Sequence, residues 1–534
     1  MSNQLSGNAF ATAQPKDTLI KPDFSDLLET AIAETIKKAN ETTPHDALLA
    51  ALLEQVEQID FMRLAFPQLE KLLQRYEELA ADKESWGKAN NPKQAEREKI
   101  EKDISKMVLT IKHYLVISVE QIIELAKANR WGLCKNLDFI YLYNGAYWQQ
   151  IEDEIFQKFL GEAAEKQGVE KYNARHYEFR DKLLKQFLST AYLAAPKTDN
   201  DKVLINMQNG TFEVTPHGTR LKPFDRSDFI SYQLPFEYDP TATAPMFQKY
   251  LDRVLPDKER QRVLAEYLGF VFIKHGSNAL KEEKALILYG TGANGKSVFF
   301  EVVNALLGDE NVGSYSLQSL TEEKGYHRAK LANKLVNYAS EINGNLEASI
   351  FKQLVSGEPV EARLPYGQPF ILKQYAKLIF NCNELPKDVE HTNAYFRRFL
   401  IIPFDVTIPE SEQDKNLHHK IIDNELAGVF NWVLNGLHRL LEQKRFSECE
   451  AAKQAVEAYK LESNSVQMFL NDNDLKPHPT AYKLIKDLYQ SYRSYCIEDG
   501  MTPFKKSNFI KQLKALGLVV ERNMYGNVVF VDAA

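Results

Sequence analysis

A chain of 534 residues is too long for one hydrophobic core and implies three or four domains. Hydrophobic residues make up 44% of it, no run approaches the roughly 18 consecutive apolar residues of a membrane span, and the opening MSNQLSGNAF lacks a basic-then-apolar secretion signal, so an intracellular protein with no membrane partner is expected. The net charge of −7 does not advertise a nucleic-acid binder, although basic residues gathered in one channel would escape that sum; the four cysteines, Cys134, Cys382, Cys449 and Cys496, lie too far apart for a zinc ribbon or a disulfide framework.

Residues 1–25 are polar and aperiodic, the pattern of a mobile arm, and residues 26–130 read as an N-terminal helical domain. At Thr43-Pro44 a capping residue and a helix-opening proline begin a run with apolar residues at Leu48, Leu49, Leu52, Leu53, Val56 and Ile59, continuing after Pro67 with Leu69, Leu72 and Leu73. The polar segment Ser85 to Gln94 interrupts it before a second helical stretch from Glu96 to Ala128. No heptad persists through four repeats, which favours a helical bundle over a coiled coil. In residues 131–240, FIYLYNGAYWQQI places two strands around an Asn144-Gly145 turn and INMQNGTFEV repeats the pattern around Asn209-Gly210. With helix expected between them from Asp153 to Ala191, this makes a small mixed α+β domain. Helices follow from Pro245 to Lys274.

The stretch LILYGTGANGKSVFF, Leu286 to Phe300, reads as strand, glycine loop and helix. Glycines let backbone N–H groups curl around phosphate oxygens, the new helix points its positive end at them, Lys296 reaches the β- and γ-phosphates, and the Ser297 hydroxyl ligates magnesium. The pattern predicts ATP and Mg2+ as cofactors. Further on, KLVNYASEINGN offers an apolar strand ending in Ser340-Glu341, where a carboxylate can polarise an attacking water and hold magnesium through its water shell, so Glu341 is the candidate catalytic base. A third strand, AKLIFNCNELP, ends at Asn383, whose amide can orient the water and touch the γ-phosphate. In YFRRFLIIPF, Arg397 and Arg398 stand just before another apolar strand, where an arginine could enter a neighbouring subunit's site.

GTGANGKS, LVNYASE, LIFNCNELP and RRFLIIPF, in that order, closely resemble superfamily 3 DNA helicases, and more narrowly the phage and plasmid primase-helicase branch related to poxvirus-type helicase-primases. IFKQLVSGEPVEAR, LINMQNGTFEV and LPFEYDP also resemble that branch, so the likeness spans about residues 135–410. The resemblance implies a multidomain α/β protein with a modified AAA+ P-loop ATPase core over residues 245–445, assembled as a ring, usually a hexamer, that translocates along single-stranded DNA. It implies phosphate-loop roles for Gly290, Thr291, Gly292, Ala293, Asn294, Gly295, Lys296 and Ser297. The acid role falls on Glu341, the sensor role on Asn383, and the finger role on Arg398 with Arg397 as alternative.

Two features depart from the family. Many members carry two adjacent acids where this chain has Ser340-Glu341, so magnesium must rely on Ser297, Glu341 and water. Members also grip DNA with a β-hairpin just before the sensor strand, and here that segment reads RLPYGQPFILK, with Gly367 and Gln368 at the expected tip and Tyr366 and Lys373 as either DNA contacts or ordinary hairpin packing. The N-terminal region offers no D-x-D pair for a polymerase-type primase, and Asp472-Asn473-Asp474 sits in a polar turn, so a separate primase or polymerase would be a partner.

Residues 461–534 read as helix, helix and hairpin, a winged-helix-like domain in which Lys505, Lys506, Lys511 and Lys514 crowd the second helix and suit contact with duplex phosphates; a solvated helix face is the plainer alternative. The reading is an ATP-dependent replicative DNA helicase of a phage, plasmid or mobile element. An ATP-gated replication initiator or loader without processive unwinding is the alternative, and a nucleic-acid-sensing ATPase of host defence is a third.

Overall fold

The computed structural model describes residues 44–81, 92–136, 139–191, 202–340, 342, 346–365, 367–386 and 389–533. The chain is a multidomain α/β protein whose compact units meet in sequence at Glu237 and Tyr238.

The first unit opens with α1 (His45–Gln55), α2 (Phe61–Ala65), α3 (Leu69–Ala81), α4 (Pro92–Ser105) and α5 (Ile111–Ala128). Leu48 and Leu52 are fully buried, as their spacing on one helix face predicts. Two of the long helical stretches are nevertheless broken. Asp60 accepts a hydrogen bond from Arg63 N and restarts the chain as α2, and Thr110 forms a reciprocal capping box with His113 that starts α5, so Glu96 to Ala128 is two helices rather than one. Leu73 stays exposed. The polar interruption at Ser85–Gln94 falls mostly outside the described residues, and the N-terminal arm falls wholly outside them.

Strands β1 (Gly132–Asn136), β2 (Phe139–Tyr143) and β3 (Trp148–Ile151) form an antiparallel sheet. The β2–β3 connection is a four-residue loop, because Asn144 Oδ1 accepts from Ala146 N and Tyr147 N at 2.9 and 3.0 Å and folds the chain over itself instead of closing a two-residue turn. Helices α6 (Asp153–Gln167), α7 (Lys171–Arg175) and α8 (Tyr177–Thr190) follow. The antiparallel β4 (Val203–Met207), β5 (Gly210–Thr215) and β6 (Gly218–Lys222) close the unit. Met207 pairs with Gly210, which places the first turn on Gln208-Asn209, one residue before the expected position.

The second unit begins with α9 (Pro245–Val254) and α10 (Lys258–Phe270) and is organised by a five-stranded parallel sheet. In chain order its elements are β7 (Ala285–Tyr289), α11 (Lys296–Leu307), β8 (Val312–Gly313), α12 (Leu317–Thr321), α13 (Tyr326–Ala329), β9 (Val336–Ala339), α14 (Ala348–Ser356), the hairpin β10 (Val360–Arg363) and β11 (Pro369–Leu372), β12 (Lys377–Cys382), α15 (Asn393–Phe396) and β13 (Phe399–Pro403). The spatial order is β13-β7-β12-β9-β8. β7, β12 and β13 are almost wholly buried, as strands covered on both faces must be, and apolar apart from Lys377 and Asn381 of β12. The long α16 (Leu417–Gln443) and α17 (Glu450–Glu462) follow. Glu266, fully buried on α10, is held by Arg439 Nε of α16 at 2.6 Å and by Ser447 N and Oγ at 2.7 and 2.6 Å, so no buried carboxylate is left unpaired there.

The C-terminal segment has its own core around Phe469, Ile485, Tyr492, Phe509, Leu513 and Val529. It comprises α18 (Ser465–Asp472), β14 (Leu475–Pro477), β15 (Lys483–Leu484), α19 (Ile485–Glu498), α20 (Lys506–Ala515), β16 (Val520–Asn523), β17 (Gly526–Val529) and β18 (Val531–Ala533). β16 and β17 pair as a hairpin that β15 extends. All four cysteines are buried free thiols, and no helix among the described residues is long and apolar enough to cross a membrane.

Candidate functional site

Because β7, β9 and β12 run parallel, their C-terminal ends lie along one edge of the sheet. The Gly290–Gly295 loop leaves β7 there, Ser340 follows β9, and Asn383 follows β12, the strand between them. Ser340 and Asn383 are exposed. Glu341 lies outside the described residues.

The loop is tied down on several sides. Gly290 N donates to Cys382 O at 3.1 Å, Phe404 N donates to Tyr289 O at 2.7 Å, and Ile408 N donates to Ala293 O at 2.7 Å, so the segment behind β13 brackets the loop. Tyr250 of α9 donates its hydroxyl to Gly295 O at 2.8 Å. Gly290 and Gly295 are places where only glycine fits: a Cβ at 290 would stand 2.3 Å from Asn294 Nδ2 and 2.6 Å from Phe404 O, and one at 295 would stand 2.6 Å from Val254 Cγ1. Ala293 itself adopts the left-handed region with φ of 48°, a conformation uncommon for a residue with a side chain.

Lys296 is the first residue of α11 and only 6% exposed. Its ammonium donates to Gly290 O at 2.6 Å and to Asn294 Oδ1 at 3.1 Å. Burial holds it below the ordinary lysine range, and the Cys382 thiol at the end of β12 is pushed up to about 11 by the same desolvation. Ser297 is exposed in the first turn of α11, whose leading N–H groups have no partners within the helix. A buried cation, helix N–H groups without partners in the helix and an open hydroxyl together suit a polyphosphate with a divalent cation, which, among the described residues, Ser297 could ligate and whose phosphates Lys296 could meet.

The two arginines have different surroundings. Arg398 is 7% exposed and committed to its own chain: its guanidinium donates to Ser356 Oγ at 2.8 and 3.2 Å and to Ala394 O, and it lies 3.3 Å from Glu283. Arg397 keeps 62% of its side chain exposed, and its ion pair with Glu283 at 2.9 Å is of the kind that contributes about 0–1 kcal/mol and is easily exchanged. Both stand at the start of β13, at the end of the sheet opposite the loop.

In the β10–β11 hairpin, Val360, Ala362 and Leu372 face the core while Glu361, Arg363 and Ile371 are exposed. Gly367 and Gln368 lie at its tip, whereas Lys373 is exposed at its base; Tyr366 lies outside the described residues. Arg363, which the sequence reading passed over, donates Nε to Gly367 O at 2.8 Å and puts a cation beside the tip. The base is locked: Gln374 and His275 exchange side chain-to-backbone hydrogen bonds at 2.8 and 3.1 Å, and buried Lys377 donates to His275 Nδ1 at 3.0 Å. Lys505, Lys506, Lys511 and Lys514 are all exposed, with Lys505 capping α20 and the other three on it. Asp472 ends α18 and accepts from Tyr495, while Asp474 pairs with Lys476, so these acids serve local structure.

A family model described as D5 N terminal like matches residues 111–256, and one described as a family of unknown function, DUF5906, matches residues 288–398. Among curated proteins, the chain is 25% identical over 325 residues to "Putative helicase L207/L206" of Acanthamoeba polyphaga mimivirus, covering 56% of this chain and 33% of that protein. It is 22% identical over 366 residues to "Putative helicase 121R" of Invertebrate iridescent virus 3, covering 59% of this chain and 37% of that protein. The chain is similar to a phage and viral primase-helicase family. It spans about a third of the length of the curated relatives it matches. Among solved structures, the A form apo structure of the NrS-1 C terminal region aligns with a TM-score of 0.43 and 13% identity, over 77% of this chain and 98% of that one.

Proposed function

We propose that the protein is an ATP-dependent DNA helicase with an AAA+ core that works as a ring, a hexamer by family resemblance. The observation that carries this reading is the convergence at one sheet edge of the Gly290–Ser297 loop, Ser340 and Asn383, with exposed Arg397 at the other end of the sheet. The helicase names of the viral relatives support it.

In this reading Lys296 and the N–H groups opening α11 bind the β- and γ-phosphates, Ser297 holds the cation, Glu341 takes a proton from the attacking water, and Asn383 orients that water. Magnesium, when bound, neutralises charge on the phosphates. Exposure favours Arg397 over Arg398 as the residue offered to a neighbouring subunit's nucleotide. The hairpin tip, with Arg363 beside it, faces single-stranded DNA, and the winged-helix-like C-terminal segment recruits duplex through its lysines.

The test is strand displacement on forked DNA, run beside filter binding with a non-hydrolysable ATP analogue. Displacement that requires ATP and is lost in Lys296→Ala is the expected result. ATP-dependent retention of DNA without displacement would favour the initiator or loader instead.

A further inference from the structure

Asn294 is doubly engaged and 4% exposed. Its Nδ2 donates to Phe404 O at 3.1 Å and its Oδ1 accepts from the Lys296 ammonium at 3.1 Å. Neither bond is reversible in sense, since an ammonium only donates and a carbonyl only accepts, so the two partners fix which way round the amide sits. Gly290 leaves no room for a Cβ because Asn294 Nδ2 and Phe404 O occupy that space, and the Phe404 and Ile408 backbone bonds hold the segment that Asn294 reaches.

We propose that Asn294 is a positioning residue that holds the Lys296 ammonium over the phosphate loop and anchors it to the segment behind β13. This rests on the nucleotide-binding part of the reading above. A buried lysine needs acceptors when no phosphate is present, and too strong an acceptor would compete with the ligand. A neutral amide oxygen beside Gly290 O supplies the first without the second; a carboxylate at the same place would bind the ammonium as an ion pair and set a negative charge against the polyphosphate. The amide's other end makes the arrangement rigid, because rotating Oδ1 away from Lys296 also breaks the bond to Phe404.

The inference separates from a space-filling role by the order of two substitutions in the full chain. Asn294→Asp keeps the outline but replaces the donor to Phe404 O with an acceptor and adds a charge, whereas Asn294→Ala removes the side chain and leaves no charge. If Asn294 only braced the loop, the two variants, which both lose the donor to Phe404 O, would lose ATP affinity alike. If it positions Lys296, titration with a fluorescent ATP analogue should show affinity falling roughly tenfold in Asn294→Ala, the loss of one charge-assisted hydrogen bond, and on the order of a hundredfold in Asn294→Asp. In turnover the loss should fall on KM more than on kcat. Asn294→Ser, which keeps an oxygen and no charge, is the second neutral variant should Asn294→Ala fail to fold, as judged by circular dichroism. The inference is overturned if the neutral variant binds within twofold of wild type, or if Asn294→Asp binds as well as or better than the neutral variant. Wild-type protein that bound no ATP would overturn the nucleotide reading as well, so the two failures are distinguishable.

Discussion

Lys296 and the lysines of α20 bring the same charge into opposite surroundings. Lys296 is buried, held by two acceptors and embedded in a loop braced from β12, β13 and α9. Lys505, Lys506, Lys511 and Lys514 stand in solvent on a helix whose buried residues are Phe509 and Leu513. A desolvated, pre-placed cation suits one ligand in one geometry, whereas solvated cations on long side chains suit a diffuse polyanion and are screened by salt. On this account the first region discriminates and the second attracts.

The strongest way to break that contrast is Lys296→Ala, which should lower ATP affinity on the order of a hundredfold or more while leaving duplex affinity unchanged. Isothermal titration with each ligand checks both halves, and equal effects on the two ligands would erase the distinction. Glu341→Gln should fail differently, retaining ATP binding with turnover lost in a single-turnover assay.

Next in size, Arg397→Ala should lower ATPase by about 10³ if it acts as an arginine finger. Mixing it with Lys296→Ala after subunit exchange should restore activity where an intact loop meets an intact Arg397. Arg398→Ala, by contrast, leaves Ser356 and Glu283 without their buried partner, and its effect should appear in a thermal melt. Mixtures that never exceed either parent would sink the in-trans role.

A smaller effect is expected at α20. Replacing Lys505, Lys506, Lys511 and Lys514 with Gln should reduce the salt slope of duplex binding by about one per lost phosphate contact. ATP affinity should not move. A salt slope identical to wild type would leave these lysines as a solvated face.

The smallest expected effect concerns Lys377, whose ammonium lies 4.2 Å from the Phe270 ring and which burial lowers to about 7. Because its folded value lies below its unfolded one, the unfolded chain binds more protons between about pH 7 and 10.5, and this residue's contribution to stability should rise with pH across that window. Lys377→Met should flatten that rise and raise the melting temperature at pH 7 by a few degrees, read by circular dichroism. An unchanged pH dependence would show that Lys377 is not its source.

Sequence made the strand, loop and helix around Lys296 legible because all of their determinants are local: an apolar run, closely spaced glycines and a helical pattern within a few residues of one another. What brackets that loop was not legible. The Asn294–Phe404 bond joins residues 110 apart, and nothing in GTGANGKS says which distant carbonyl will meet the amide. The family resemblance puts Arg398 ahead of Arg397, and nothing in the sequence shows that the entry to β13 turns the Arg398 guanidinium inward to Ser356 and leaves Arg397 in solvent. The break at Ser105–Thr110 is hidden from the sequence because Thr and His look neutral inside a helical pattern, while as a capping box they start a new helix. At Asn144 the Asn-Gly pair signals a tight turn, and the side-chain bonds that enlarge it to a four-residue loop are invisible to that rule.

The most direct test of the central claim is steady-state ATP turnover by the full chain, with and without single-stranded DNA, for wild type and Lys296→Ala. The account predicts turnover that DNA accelerates and that Lys296→Ala abolishes in both conditions. Turnover that survives Lys296→Ala, or that single-stranded DNA leaves unchanged, would contradict it.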